Sequence, residues 1–343
     1  MREMSQKVFR WHQFSWLWSP QEIALFIVLI AVLCALSLYI LSLGTIPLSL
    51  HEIYSALILS SHQPLHELTI WNVRLPRLIT AIFVGASLGV AGAVFQSISR
   101  NTLGSPDIIG FTTGSASGAL ISIIYFSASQ TTIMLSSILG GLTTAYVVLI
   151  LSRQFNKTSS YALILSGVGM SAILMAVNGL LLVKGDLDLA ITANLWLAGS
   201  LSARTWQHAL PIFIVFIVIA PIISFLARPL RMIEMGDAYS QQVGISVETV
   251  RKVSLLFAVI LTAIATASAG PIAFIALAAP RLFSSLTGSV LPILGSALCG
   301  AILLTSADVI SQLSPFNLIL PIGQVTGLLG GCYLLWILIK SNN

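Results

Sequence analysis

Two short runs in the chain, His51-Glu52 and His66-Glu67, have the residue types that open a zinc-protease helix, but Ser55 and Ile70 stand where each second histidine is required. No lysine follows a glycine anywhere in the 343 residues, so the chain lacks a phosphate-binding loop, and any ATP-driven work needs a partner. Cys34, Cys299 and Cys332 fall inside apolar runs without metal-ligand spacing and read as small apolar packers. Asp308 is the clearest ionisable group inside an apolar run, a pattern that marks ion or proton routes. A proton-coupled carrier ordinarily needs more than one such group at mid-membrane depth, so Asp308 reads as a hydrogen-bonding residue near a helix end. Recognition remains as the available chemistry. Two stretches carry it, 74–118 and 228–252.

Composition says what positions them. The chain is 57% hydrophobic and 8% charged, whereas soluble domains carry about a quarter charged residues. Its apolar runs exceed the roughly 20 residues that a spanning helix needs, and none alternates as a barrel strand does. Helices satisfy their own backbone in lipid, so the expected fold is an all-α, polytopic membrane helical bundle forming one domain over 1–343. Ten spans are expected, at about 22–43, 76–97, 108–126, 133–152, 161–183, 208–227, 253–269, 272–287, 292–312 and 319–339. Gly270-Pro271 breaks the helix between the seventh and eighth. The first span is too long for the apolar core of a cleaved signal, and Trp11, Trp16 and Trp18 precede it as interface residues.

An even number of spans puts both termini on one side. With the N-terminus inside, twelve basic residues (Arg2, Lys7, Arg10, Arg100, Arg153, Lys157, Arg228, Arg231, Arg251, Lys252, Arg281 and Lys340) lie inside, and four (Arg74, Arg77, Lys184 and Arg204) outside. Positive charge is retained on the cytoplasmic side, so the net charge of +5 points to membrane topology and not to nucleic acid. Small residues recur at four-residue spacing in Gly85/Gly89, Gly110/Gly114, Gly114/Gly118 and Gly327/Gly331, which suits close helix packing.

In the first stretch, Pro76 suits the first turn of the second span, where its missing N–H costs nothing. Arg74 and Arg77 flank it at the outer face. They can snorkel to lipid phosphates, or meet acidic groups of an outer partner. The stretch re-emerges inside as an irregular turn, Asn101-Thr102-Leu103-Gly104-Ser105-Pro106. The second stretch is the longest polar break in the chain. Asp237 as N-cap and Gly244 as the stop predict a short helix from Asp237 to Val243. That helix is either a solvated connector or a knob that enters a groove on a motor protein.

Five motifs stand in order: RLPR at 74–77, N-x-L-x-x-P-x-x-I-G at 101–110, G-D-x-x-S-x-x-V-G-I at 236–245, A-G-P-I-x-F-I-x-L at 269–277 and L-P-I-G at 320–323. Together they resemble the FecCD/BtuC-type permeases of bacterial iron-siderophore and cobalamin ABC importers, over about 22–340. The resemblance implies a type II ABC importer permease fold in the inner membrane, both termini cytoplasmic, with no cofactor on this chain and ATP on partner subunits. The implied partners are a second permease chain, two cytoplasmic ATPase subunits and a periplasmic siderophore-binding protein. Carried over by motif, Gly236, Asp237, Ala238, Gln241 and Gly244 form the ATPase-coupling loop. Arg74 and Arg77 face the binding protein. Gln312 replaces an arginine at a third docking position, four residues after Asp308. Asn101 and Leu103 lie near the cytoplasmic gate, with Ser159 and Ser160 in the neighbouring loop. Where many relatives read P-H-x-x-R, this chain reads Pro280-Arg281-Leu282-Phe283-Ser284. That variant resembles permeases for catecholate siderophores, in which two different permease chains pair, and so implies a heterodimer over a homodimer. The resulting expectation is import of a ferric siderophore by alternating access. Cobalamin or haem import, an ion-coupled carrier and a membrane enzyme are the competing classes.

Overall fold

The computed structural model describes residues 7–11, 14–18, 20–44, 46–60, 63–107, 109–154, 160–287, 293–313 and 320–341. The chain opens with an antiparallel hairpin, β1 (Lys7–Trp11) and β2 (Phe14–Trp18), in which Lys7 pairs with Trp18 and Trp11 with Phe14. The described elements after it are helices: α1 (Pro20–Ser42), α2 (Leu50–Leu57), α3 (Pro64–Leu68), a π-helical segment (Thr69–Arg74), α4 (Leu75–Ser99), α5 (Phe111–Phe126), α6 (Gln130–Gln154) and α7 (Ser160–Lys184). There follow α8 (Leu187–Leu197), α9 (Trp206–Met235), α10 (Asp237–Gln242), α11 (Val247–Ala269), α12 (Ile275–Thr287), α13 (Ile293–Gln312) and α14 (Ile322–Ser341). Among the described residues seven helical bodies are long and apolar enough to cross a membrane, and α5, α8 and α12 are shorter apolar helices.

Three features depart from the sequence expectation. The hairpin occupies a stretch read only as a lead-in to the first span. α8 forms where only a polar connection is expected. And α4 does not begin at Pro76: one helical body runs from Pro64 to Ser99. A proline in a helix removes a hydrogen bond and its ring presses on the carbonyl four residues back. Here that carbonyl is Asn72, inside the π-helical segment Thr69–Arg74, and the wider turn gives the ring room.

α4 is the centre of the bundle. Most of its residues from Pro76 onward are buried, and α9, α11, α12 and α13 all pack on it. Lipid tails are as apolar as leucine, so helices in a membrane associate through close packing. α4 achieves this with glycine. A Cβ on Gly85 would overlap the carbonyl oxygen of Gly300 on α13, one on Gly89 that of Ser296, and one on Gly92 that of Ala276 on α12. The α5–α6 pair repeats the device, with Gly114 and Gly118 against Gly140, Ser136 and Thr144. Gly327 and Gly331 of α14, by contrast, face open space.

Two of the sequence motifs meet at one backbone crossing. The Ser200 N–H donates to the Ala269 carbonyl at 2.8 Å, the Ile322 N–H to Gly199 at 3.1 Å and the Gly323 N–H to Ala198 at 3.2 Å. Gly199 and Gly270 turn there with φ of +69° and +79°, a conformation glycine adopts without the Cβ clash. The ends of α8 and α11 and the start of α14 are thereby tied without side chains.

Adding one methyl at the α4 seam separates overpacking from mere change of residue. Gly92→Ala is expected to destabilise the chain by about 1–3 kcal/mol, read as a lowered Tm of the detergent-purified protein. Gly331→Ala should leave Tm unchanged; equal Tm values for the two variants contradict the seam.

Candidate functional site

Charged side chains concentrate at the two ends of α4. At the first end the Arg77 guanidinium grips the Asp308 carboxylate of α13, with Nη2–Oδ1 at 2.6 Å and Nε at 3.1 Å from both oxygens. Gln312 Nε2 donates to the same carboxylate at 2.9 Å. Asp308 is 0% exposed. Arg74 is buried too, donating to the Leu41 carbonyl at 2.5 Å and to that of Ile46. These carbonyls lie at the end of α1 and just beyond, where the helix leaves acceptors unmet. Arg74, Arg77 and Gln312, the residues expected to dock a binding protein, thus all have hydrogen-bond partners within this chain. For Arg77 and Gln312 the cause is Asp308, since a buried carboxylate needs a cation and further donors.

A second network ties the same end. Arg204 Nε donates to the Ser200 carbonyl at 2.8 Å, and His208 Nε2 sits 3.3 Å from Arg204 Nη1 and 2.9 Å from Gln130 Nε2. Burial pulls the Arg204 guanidinium pKa down to about 10, which still leaves it charged at neutral pH.

At the opposite end lies α10. Gly236, at φ +137°, is its N-cap, so Asp237 is the first helical residue and not the expected cap. Its carboxylate pairs with Arg100, which caps the C-terminus of α4, and with Arg251 of α11 at 3.0 Å. Arg100 Nη2 also donates to the Ile233 carbonyl of α9 at 2.6 Å. The helix stops as expected. Gly244 has φ +84°, its N–H donates to Gln241 at 3.0 Å, and the Ile245 N–H donates to Ser240 at 3.0 Å. This is the paired closure of a Schellman end. Ser240 is buried, whereas Ala238, Tyr239, Gln241, Gln242, Val243 and Gly244 are exposed. Tyr239 and Val243, 53% and 57% exposed, share one side of the helix. The sequence reading missed both; their signal is an apolar pair at four-residue spacing in a polar loop.

The turn after α4 lies beside this cluster. Arg100 takes the left-handed conformation, φ +49°, which turns the chain out of the helix. The Asn101 side chain accepts from the Leu103 N–H at 2.9 Å, and Leu103 is exposed. Arg281 Nη1 donates to Thr102 Oγ1 at 3.4 Å. Ser159 lies outside the described residues, and of Ser160 only the backbone, at the start of α7, is described. Asp107, also unremarked in the sequence, is half-buried in the turn. Burial pushes its carboxyl up to about 6, against the opposing pull of a hydrogen bond from Thr112. Among the described residues no group of three or more metal-ligating side chains forms.

Two predictions come from this geometry. Arg77→Gln strands a buried carboxylate and is expected to cost about 3–5 kcal/mol, with Asp308→Asn added in the same chain recovering most of the loss in Tm. No recovery would mean the two residues act separately. For Asp107 the folded state keeps its proton where the unfolded chain has lost it, so its contribution is fully present below pH 4 and is lost as pH rises through about 6. Asp107→Asn should therefore raise Tm by about 2–4 °C at pH 8 and leave it unchanged at pH 4.

The sequence profile of the FecCD transport family matches residues 28–340. The chain is 41% identical over 300 residues to the ferric enterobactin transport system permease protein FepG of Escherichia coli (strain K12), covering 87% of this chain and 90% of that one. It is 34% identical over 330 residues to the Fe(3+) dicitrate transport system permease protein FecD of the same organism, covering 93% and 99%. Among solved structures, a metal-chelate type ABC transporter in an inward-facing conformation superposes with a TM-score of 0.83 at 27% identity, covering 93% of this chain and 99% of that chain. The chain belongs to the FecCD transport family, the permeases of metal-chelate or siderophore type ABC importers, and is a translocation component rather than an enzyme.

Proposed function

We propose that this chain moves a ferric siderophore of the catecholate class from periplasm to cytoplasm by ATP-driven alternating access. The 41% identity to a ferric enterobactin permease supports the substrate class. The single observation that carries the mechanism is α10: a short helix fixed from within by Asp237 and Ser240, with Tyr239 and Val243 uncovered. The excess of basic residues at that end supports a cytoplasmic position. There α10 serves as the knob that one of the two ATPase subunits grips, and ATP stays on those subunits. The turn 101–110, beside Arg100, serves as part of the gate. The chain pairs with a sister permease, a heterodimer, in the bacterial inner membrane. A periplasmic binding protein delivers the chelate at the Asp308 end, where Arg74, Arg77 and Gln312 form the expected docking patch.

The carrier reading loses support, because Asp308 is held by Arg77 and Gln312. A proton relay there would have to break a buried ion pair in each cycle.

The test reconstitutes the chain in proteoliposomes with co-expressed sister permease, ATPase and binding protein. Uptake of a radio-iron tris-catecholate should exceed that of ferric citrate and cobalamin; preference for either of the latter overturns the substrate class. Tyr239→Asp and Val243→Asp should each reduce ATPase co-purification about tenfold, roughly 1.4 kcal/mol, with Tm unchanged. Full association of both variants overturns α10 as the motor contact.

A further inference from the structure

We infer that Arg100 is the positioning residue through which displacement of α10 reaches the gating turn. The inference rests on the proposed role of α10. The Asp237 carboxylate accepts from two arginines on different elements, Arg100 at the end of α4 and Arg251 near the start of α11. Arg251 is 9% exposed and stands on a helix buried over most of its length, so it is the fixed side of the clamp. Arg100 is the movable side. Its side chain is 40% exposed, and its backbone is the hinge at which α4 stops.

Three connections converge on that one residue. Its guanidinium holds the Asp237 carboxylate and the Ile233 carbonyl, which bracket the α9–α10 junction at Gly236. Its own N–H closes the last turn of α4 on Gln96 and Ser97. Its peptide leads directly into Asn101, whose N–H also donates to Gln96 at 3.2 Å. Gly236 joins α9 to α10 at φ +137°, a backbone conformation that glycine adopts without strain. A pull on Asp237 then acts on Arg100, and from Arg100 on the turn that Asn101 and Leu103 shape. Without the guanidinium, the structure offers α10 no other side-chain hydrogen bond to α4 among those described. The chemistry asks for a charged donor able to reach a carboxylate and a carbonyl together. Arginine provides that fork, and lysine retains the charge alone.

The experiment uses the full complex in proteoliposomes. Arg100→Gln is expected to keep ATPase association and ATP hydrolysis within about twofold of wild type while radio-iron tris-catecholate uptake falls about tenfold. Arg100→Lys should recover part of the uptake, which a simple folding defect would not allow; the Tm of each variant is read alongside. Wild-type uptake in Arg100→Gln, with hydrolysis intact, overturns the inference alone. Loss of uptake and hydrolysis in equal measure also overturns it, because the residue then acts on the motor contact and not on transmission. Failure of the ATPase to associate with the wild-type chain overturns the underlying role of α10 instead.

Discussion

The bundle depends on the backbone contact between α4 and its neighbours α12 and α13. Where Gly85, Gly89 and Gly92 meet carbonyls, no side chain stands between the helices. In lipid this matters more than apolar character, since the surroundings are equally apolar. A seam made of backbone has no rotamers to exchange, so α4 moves with its partners as one body.

Each end of α4 then carries an arginine paired with an aspartate of a distant segment, and burial gives the two pairs different consequences. Arg77 and Asp308 are joined where the carboxylate has no exposure, so separating them leaves a charge without water. That end is a fixed anchor, reinforced by Gln312 and by the carbonyls that Arg74 collects. Arg100 and Asp237 are joined where both side chains are about two-fifths exposed. Water can replace either partner there, which makes the contact adjustable. An importer driven from one side needs this asymmetry, a fixed end and a yielding end on the same rod.

Much of this was legible in the sequence. The long apolar helices follow from apolar run length, and α10 ends where Gly244 predicts, because only a glycine-like backbone turns left-handed there at low cost. The glycine spacing at 85/89 and 114/118 marks true backbone contacts. The same spacing at 327/331 does not within this chain, because spacing says how close a helix can come and not whether a neighbour exists. The partners of Arg74, Arg77 and Gln312 were out of reach. Asp308 lies 231 residues from Arg77, and no local pattern encodes which cation a buried carboxylate takes. Likewise Asp237 has the local credentials of an N-cap, and only the fold brings Arg100 and Arg251 close enough to claim it. The A-G-P-I and L-P-I-G runs were visible as motifs, yet their meeting at Gly199 is a property of the packed chain.

The central claim is that α10 and the turn after α4 move together. Spin labels on Gln241 and Leu103, both exposed, report it directly in the complete complex, with Cys34, Cys299 and Cys332 replaced by serine. The distance between these two labels should stay constant between the nucleotide-free and ATP-bound complexes, while the distance from each to a third label on Ile310 of α13 changes. A changed distance between Gln241 and Leu103, with Leu103 stationary relative to Ile310, would contradict the account.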